Sequence, residues 1–141
     1  MGFYEDCTSV ILAHPNNMGG ASGPIVALIF HDMEYPEVGT AAEDTARYFA
    51  RPGTGASTTA SIDNNSSCGS GPYGRTAWHT GAGSPWNQRL EGYEHPGYAS
   101  QDPNQWIDIY GLQMLEVSAR HFAKRCHELK IPPRRINAAQ L

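Results

Sequence analysis

Segment 87–99 contains the residues whose types and spacing best suit chemistry. Glu94 and His95 stand between a Gly-Tyr pair and a Pro-Gly turn, and the loop 78–83 (Trp-His-Thr-Gly-Ala-Gly) comes shortly before them. A carboxylate at the end of a short strand, facing a loop with an indole and an imidazole, is well placed to act as a general base beside a substrate groove. The pattern therefore indicates Glu94 as a candidate catalytic carboxylate.

His31 ends an apolar run earlier in the chain, and its imidazole is a candidate metal ligand. A buried histidine that is hydrogen-bonded to a backbone carbonyl is the alternative for this residue. The other histidines do not complete a local zinc site. His121 and His127 are six residues apart, which is poor spacing for one face of a helix. His95 is expected to face away from Glu94 because neighbouring residues of a strand point to opposite faces.

Two alternatives to catalysis by Glu94 follow from other residues of the chain. The carboxylate can form a salt bridge with Arg89 or Arg75 and serve only the fold. A pair of Cys68 and His79 would suggest a thiol hydrolase, but a reactive cysteine is expected at a helix N-terminus, where its pKa is lowered. Cys68 lies in a Ser-Gly loop, which argues against a thiol mechanism.

Composition favours a globular protein without a nucleic-acid partner. The chain has 141 residues, 40% of them hydrophobic, and a formal net charge of -4, whereas nucleic-acid-binding domains normally have a basic face. Three widely spaced cysteines form no disulfide framework, so a reducing compartment is expected. The N-terminus has no signal-peptide pattern, and the longest apolar run is too short to span a bilayer. We therefore expect cytoplasmic synthesis and no membrane insertion.

The apolar and turn patterns predict an α/β fold with a central mixed β-sheet flanked by helices. Strands are expected over 10–13, 25–30 and 59–63, and the continuously apolar run 25–30 suits a strand buried on both faces. Helices are expected over 40–50, which a Thr-x-x-Glu capping box opens, and over 102–129, which Asp-Pro opens.

No linker or repeat divides the chain, so residues 1–141 are expected to form one domain, in which 1–23 is an N-terminal strand and loop. The basic pair Lys124-Arg125 is expected to be a solvated helix end. On the same helix, Met114 and Phe122 fall on the apolar face and are expected in the core.

Three stretches of the chain match a known set of motifs in order and spacing. The run 25–31 ends at a histidine, 76–81 reads Thr-Ala-Trp-His-Thr-Gly, and 87–99 carries Gly, Glu, His and Gly in step with Asn-x-x-Ser-Ile-Gly-Ile-Glu-His-Glu-Gly. Through these three motifs the chain resembles the type 2 N-acetylmuramoyl-L-alanine amidases, whose fold is shared by phage endolysins and peptidoglycan recognition proteins. The resemblance covers about residues 24–133. The Gly/Thr-rich composition, with a Pro-Pro-Arg-Arg tail, is most similar to that of endolysins of phages that infect actinobacteria.

The resemblance implies a role for four residues. His31 matches the first zinc ligand, Glu94 matches the catalytic carboxylate, and Trp78 and His79 match residues that line the substrate groove. The implied cofactor is Zn²⁺, whose catalytic sites use three protein ligands and one open position. The family's other two ligands lie beyond its long helix, and this chain ends at Leu141 before such a segment. We therefore expect an incomplete zinc site.

The implied function is zinc-dependent hydrolysis of the amide between N-acetylmuramic acid and L-alanine in bacterial peptidoglycan, as the lytic part of a phage endolysin made in the host cytoplasm. The alternatives are a peptidoglycan-binding module without catalysis and an inactive truncated piece of such an enzyme. The chain departs from the family pattern at Glu91, where a charge replaces the usual isoleucine. The sequence does not indicate an oligomeric state.

Overall fold

The computed structural model describes residues 2–137 and 139 and contains a mixed five-stranded sheet, a two-stranded sheet and flanking helices. Within these residues the strands are β1 (Ser9–Val10), β2 (Met18–Ala21), β3 (Ala27–Asp32), β4 (Ala60–Ile62), β5 (Ser67–Gly69), β6 (Arg75–Ala77) and β7 (Leu90–His95). The prediction of an α/β fold with a central mixed sheet is confirmed.

The helices in the described residues are α1 (Phe3–Asp6), α2 (Ala41–Phe49), α3 (Pro103–Trp106) and α4 (Ile109–Leu129), and 3-10 turns cover Pro15–Asn17 and Pro85–Gln88. None of the helices in this part of the chain is both long enough and apolar enough to cross a bilayer.

The five-stranded sheet has the order β1-β5-β4-β7-β3. Strands β4 and β5 are antiparallel, and the other neighbours run parallel. Strands β3 and β7 are aligned over six residue pairs, from Ala27 opposite Leu90 to Asp32 opposite His95. The smaller sheet pairs β2 with β6 in antiparallel fashion, just before the loop that contains Trp78.

The strand predicted over 25–30 exists, but its predicted burial on both faces is wrong. It runs from Ala27 to Asp32 and lies at the edge of the sheet, so its residues are mostly half-buried and Phe30 is 41% exposed. Its continuous apolar run resembles that of a central parallel strand, whereas strand order depends on contacts between distant parts of the chain. Local sequence therefore predicted the strand and not its place.

Both predicted helices form, with differences at their ends. Helix α2 begins after Thr40, but the predicted capping box is absent: the Thr40 hydroxyl donates to Asp44, and Glu43 accepts from hydroxyl groups of distant residues. The capping of α3 by Asp102 is as predicted. The single predicted helix over 102–129 is broken, because Asp108 caps a new helix by accepting a bond from the backbone N–H of Gly111.

Helix α4 packs on one face of β7 and buries a charged residue there. Arg125 was expected in a solvated helix end, but it is only 8% exposed, and Glu91 of β7 is 5% exposed. The Arg125 guanidinium donates to both Glu91 carboxylate oxygens, over 2.8 Å from Nε and 2.5 Å from Nη2. The hydroxyl of Tyr93 also donates to Glu91, over 2.9 Å. The unusual charge at position 91 is therefore neutralised by a bidentate partner on α4.

The same guanidinium connects α4 to the N-terminal segment. Its central carbon lies 3.5 Å from the centroid of the Tyr73 ring, and the Tyr73 hydroxyl donates to Asp6 over 3.1 Å. Asp6, at the end of α1, also pairs with Lys124 of α4. A buried polar network thus joins the N-terminal helix, the loop at residue 73, β7 and α4. Met114, as predicted, is fully buried in the core.

Arg125→Met is expected to lower the free energy of unfolding by about 3–5 kcal/mol, because it leaves the Glu91 carboxylate buried without its partner. Combining it with Glu91→Leu is expected to restore most of that loss, since a buried ion pair can be exchanged for apolar packing at little cost. Urea unfolding measures both values.

Arg120→Met is the matched control, because Arg120 is exposed on the same helix and pairs with the exposed Glu116. It is expected to cost less than about 1 kcal/mol. Equal effects at positions 120 and 125 would contradict the assignment of a buried pair.

His121 on α4 makes the stability depend on pH. It packs against the Tyr93 ring, with ring centroids 5.1 Å apart. Burial lowers the pKa of His121 by more than the negative charges of Asp6 and Glu91 raise it. The unfolded chain, in which the imidazole has a pKa of about 6.5, then binds the proton more tightly than the folded protein. Stability from this residue is therefore complete at higher pH and falls as the pH drops below about 6.5.

His121→Gln is expected to flatten the fall in the free energy of unfolding between about pH 7.5 and about pH 5.5. His127→Gln is the control, because His127 is exposed on the same helix. Urea titrations of the three proteins at both pH values make the comparison, and parallel curves for wild type and His121→Gln would refute the expectation.

Candidate active site

Glu94 and His31 lie beside each other at the carboxyl ends of two neighbouring strands. The register of the parallel β3–β7 ladder places His31 directly opposite Glu94. Residues aligned in this way extend to the same face of the sheet, whereas the next residues, Asp32 and His95, extend to the other. The edge where parallel strands end is the usual position of sites in α/β sheets.

The Glu94 side chain is a half-buried carboxyl without a partner among the described residues. It makes no hydrogen bond or salt bridge to any of the described residues. Burial, together with the negative charge of Asp32, raises the pKa of Glu94 to about 7. The group therefore occupies both protonation states near neutral pH, which is the condition for accepting a proton in one step and donating it in the next.

The proposed salt bridges of Glu94 with Arg75 or Arg89 are absent. Arg75 donates to the backbone oxygen of Gly19 from both Nε and Nη2. The Arg89 guanidinium lies 5.7 Å from the centroid of the Trp86 ring. The ion-pair alternative for Glu94 is therefore wrong.

His79 packs over the same face of β7 as Glu94. A Cβ atom at Gly92, the residue two before Glu94, would lie 2.3 Å from Cγ of His79, so the imidazole occupies the space that this glycine leaves free. Asn87 fixes the loop, because its side-chain oxygen accepts from the backbone N–H groups of His79 and Thr80 over 3.1 and 2.9 Å.

Both ring nitrogens of His79 contact the protein. Nε2 lies 3.1 Å from the backbone oxygen of Leu90, and Nδ1 lies 3.0 Å from Nε2 of His31. Burial lowers the pKa of His79 to about 4, and burial also lowers the pKa of His31 against the charge of Asp32. Both imidazoles are therefore neutral at neutral pH. We call His31 and His79 the histidine pair.

His95 belongs to the opposite face of β7, as the alternation of a strand predicts. Its ring stacks on Phe30, with centroids 3.5 Å apart, and its Nε2 lies 2.9 Å from the hydroxyl oxygen of Ser118 on α4. Burial lowers its pKa to about 3. His95 therefore anchors the sheet to α4 and takes no part in the Glu94 site.

Trp78 borders a cavity of about 280 Å³, and neither member of the histidine pair is in its lining. The cavity lies between the β2–β6 sheet and the loop before β7, and glycine and polar residues make up most of its lining. Trp78 is half-buried, and its backbone N–H donates to the hydroxyl of Ser57 over 2.9 Å. The indole is thus held at the side of an open depression, where an aromatic ring offers contact area to a bound molecule.

The described residues do not by themselves form a zinc site. Within 2–137 and 139, no three His, Cys, Asp or Glu side chains are grouped closely enough to hold a metal ion. His31 contacts His79, but His79 directs its second nitrogen to a backbone carbonyl. The role of His31 as a zinc ligand stays a prediction.

The thiol alternative is also unsupported. Cys68 lies inside β5 rather than at a helix N-terminus, and burial raises its pKa. Sequence reasoning missed Asp32, whose charge acts on Glu94 from the end of β3, and Gly92, whose missing side chain makes room for His79. Asp32 follows His31 directly, and that adjacency was the available signal.

Gly92→Ala is expected to destabilise the protein by about 1–3 kcal/mol, because the new methyl group overlaps the His79 ring. Gly20→Ala, at a strand position with nothing within 4 Å, is the control and is expected to be neutral or slightly stabilising. Thermal and urea unfolding measure both, and an unaffected Gly92→Ala protein would show that His79 does not occupy this position.

No protein-family model matches the sequence, and a comparison with curated protein sequences finds no match. Solved structures do match. A mutant endolysin from Bacillus subtilis has a TM-score of 0.67 at 20% identity, over 86% of this chain and 76% of the other. The catalytic domain of XlyA has a TM-score of 0.67 at 22% identity, over 86% and 78%. Peptidoglycan Recognition Protein-1 of Manduca sexta has a TM-score of 0.55 at 14% identity, over 88% and 74%.

These likenesses at low identity concern the fold. They agree with the resemblance found in the motifs, which places the same strands and loops in the same order. The chain therefore has the amidase/PGRP-like α/β fold, which it shares with an endolysin and with a peptidoglycan recognition protein.

Proposed function

We propose that this chain binds bacterial peptidoglycan along the face that carries Trp78 and Glu94, and that it hydrolyses the amide between N-acetylmuramic acid and L-alanine. The observation that carries the proposal is the half-buried, unpartnered Glu94 carboxyl, which lies opposite His31 and has a pKa raised to about 7. A carboxyl that serves only the fold is normally paired when it is withdrawn from water. Supporting the proposal is the fold shared with an endolysin, a catalytic domain and a peptidoglycan recognition protein.

Amide hydrolysis requires two proton movements. The attacking water must lose a proton, and the departing nitrogen must gain one. Glu94 can accept the first proton on its carboxylate and deliver it to the L-alanine nitrogen, because its two protonation states are close in free energy at neutral pH. The half-buried setting of the carboxyl limits competition from bulk water for these transfers.

Zinc enters the proposal as the cofactor that the motifs imply, with His31 as the residue that would hold it. Such an ion would supply Lewis-acid chemistry, by which it would polarise a carbonyl oxygen or a water molecule. The described residues do not fit a complete three-ligand site. Zinc dependence is therefore a separate question, which removal and re-addition of the metal can answer.

A peptidoglycan-binding module without catalysis is the second candidate. The observation in its favour is that the residues described here group no three metal ligands together. Both candidates use the same face of the protein, and both fit a lytic or recognition role in a phage endolysin that is synthesised in the host cytoplasm and acts on the cell wall.

Glu94→Gln is expected to lower the rate of amide cleavage by a factor of about 10²–10⁴, the usual worth of a positioned acid-base group. The change keeps the size of the side chain and removes the proton that it can exchange. New amino groups of L-alanine, released from purified cell wall, measure the rate. Glu116→Gln, on an exposed helix face, is the control and is expected to cleave at the parent rate.

The same digest distinguishes the two candidate functions. A zinc-dependent amidase is supported if amino groups are released, if a chelator abolishes this release and if added zinc restores it. Binding to cell wall without release of amino groups supports the recognition module. Cleavage at the parent rate by the Glu94→Gln protein would remove Glu94 from the mechanism.

Trp78→Ala is expected to weaken binding to purified cell wall by about 1 kcal/mol, roughly a fivefold rise in Kd, because it removes aromatic contact area from the groove. Tyr48→Ala, which removes an exposed ring on α2, is the control and is expected to bind like the parent. Sedimentation with insoluble cell wall measures both, and equal binding by the two variants would place the groove elsewhere.

A further inference from the structure

We propose that His79 is a positioning residue for His31: a hydrogen-bond chain from the Leu90 carbonyl through His79 holds both imidazoles as Nε2–H tautomers and leaves Nδ1 as the available nitrogen of His31. The use of that nitrogen in the reaction rests on the proposed function. The tautomers themselves do not, because they follow from contacts within the protein.

The chain of donors starts at a backbone carbonyl. The Leu90 oxygen lies 3.1 Å from Nε2 of His79, and a carbonyl oxygen can only accept a hydrogen bond. Nε2 of His79 must therefore carry a proton. Neither ring of the histidine pair is hydrogen-bonded to a carboxylate among the described residues, so no adjacent acceptor charge holds a second proton on His79. A half-buried imidazole without such a partner holds a single proton at neutral pH.

The state of His79 determines that of His31. A neutral imidazole has one N–H, so with Nε2 protonated the Nδ1 atom of His79 is an acceptor. The atom 3.0 Å from it is Nε2 of His31, which must donate. A neutral His31 with its proton on Nε2 presents a lone pair at Nδ1, and this atom has no hydrogen-bond partner among the described residues. Nδ1 is thus the nitrogen left to accept a proton or a hydrogen bond.

The surroundings of His79 hold this arrangement in place. The ring rests on the bare backbone of Gly92, where any side chain would overlap it. The loop that carries it is fixed by Asn87, which accepts from His79 and Thr80 and donates to the backbone oxygen of Gly81 over 2.7 Å. An outer partner that fixes the tautomer of a functional histidine is a known way to orient it.

Nitrogen NMR of the whole chain, uniformly ¹⁵N-labelled and without metal or substrate, tests the proposal. Long-range ¹H–¹⁵N spectra at neutral pH are expected to show His31 and His79 as Nε2–H tautomers. A coupling across the hydrogen bond is expected between Nε2 of His31 and Nδ1 of His79. An Nδ1–H tautomer at either residue in the wild-type protein is enough to overturn the proposal, without any variant.

Two variants separate positioning from packing. His79→Phe keeps a ring over Gly92 but removes the acceptor, and the His31 signals are expected to change to a mixture of tautomers. His79→Asn restores an acceptor oxygen near the former Nδ1 position, and His31 is expected to return to the Nε2–H form. His127→Phe, at an exposed position, is the control and is expected to leave the His31 spectrum unchanged. An unchanged His31 tautomer in a folded His79→Phe protein refutes the positioning role.

These spectra require no cleavage of peptidoglycan. They can therefore refute the tautomer proposal while the proposed function holds, and they can support it in a protein that only binds peptidoglycan.

Discussion

The register of β3 on β7 is the constraint on which the site depends. It places His31 opposite Glu94, and the alternation of β7 puts Gly92 on the same face as Glu94, where the His79 ring fits. A slip of one residue would move every side chain of β3 to the other face of the sheet, and His31 would then lie away from Glu94 and His79. The approach of His31 to Glu94 and His79, and that of the Asp32 charge to Glu94, both depend on this alignment.

The two faces of β7 have different tasks. Gly92 and Glu94 serve the site, whereas Glu91, Tyr93 and His95 connect the strand to α4. The Glu91–Arg125 pair replaces the apolar contact that an isoleucine would make, and it extends through Tyr73 to the N-terminal helix. At position 91 the chain thus has a buried polar network in place of apolar packing, on the face of the strand opposite Glu94.

Sequence reasoning was strongest where the signal was local. The strand ending at His31, the alternation of Glu94 and His95 and the capping of α3 by Asp102 follow from neighbouring residues. The edge position of β3 and the burial of Arg125 depend on partners far along the chain, so no local pattern revealed them. The roles assigned to His31, Trp78, His79 and Glu94 stay predictions, because contacts alone do not measure binding or turnover.

The edge position of β3 makes the two strands that carry His31 and Glu94 unequal in the number of their hydrogen-bonded neighbours. Within the described residues β7 has a strand on each side, whereas β3 is bonded to β7 alone. Opening β3 breaks one ladder of hydrogen bonds, but opening β7 breaks two. Local fluctuations therefore occur more readily on the His31 side than on the Glu94 side. The Glu94 carboxyl therefore lies on the more rigid strand, whereas the His31 imidazole moves with the more mobile one.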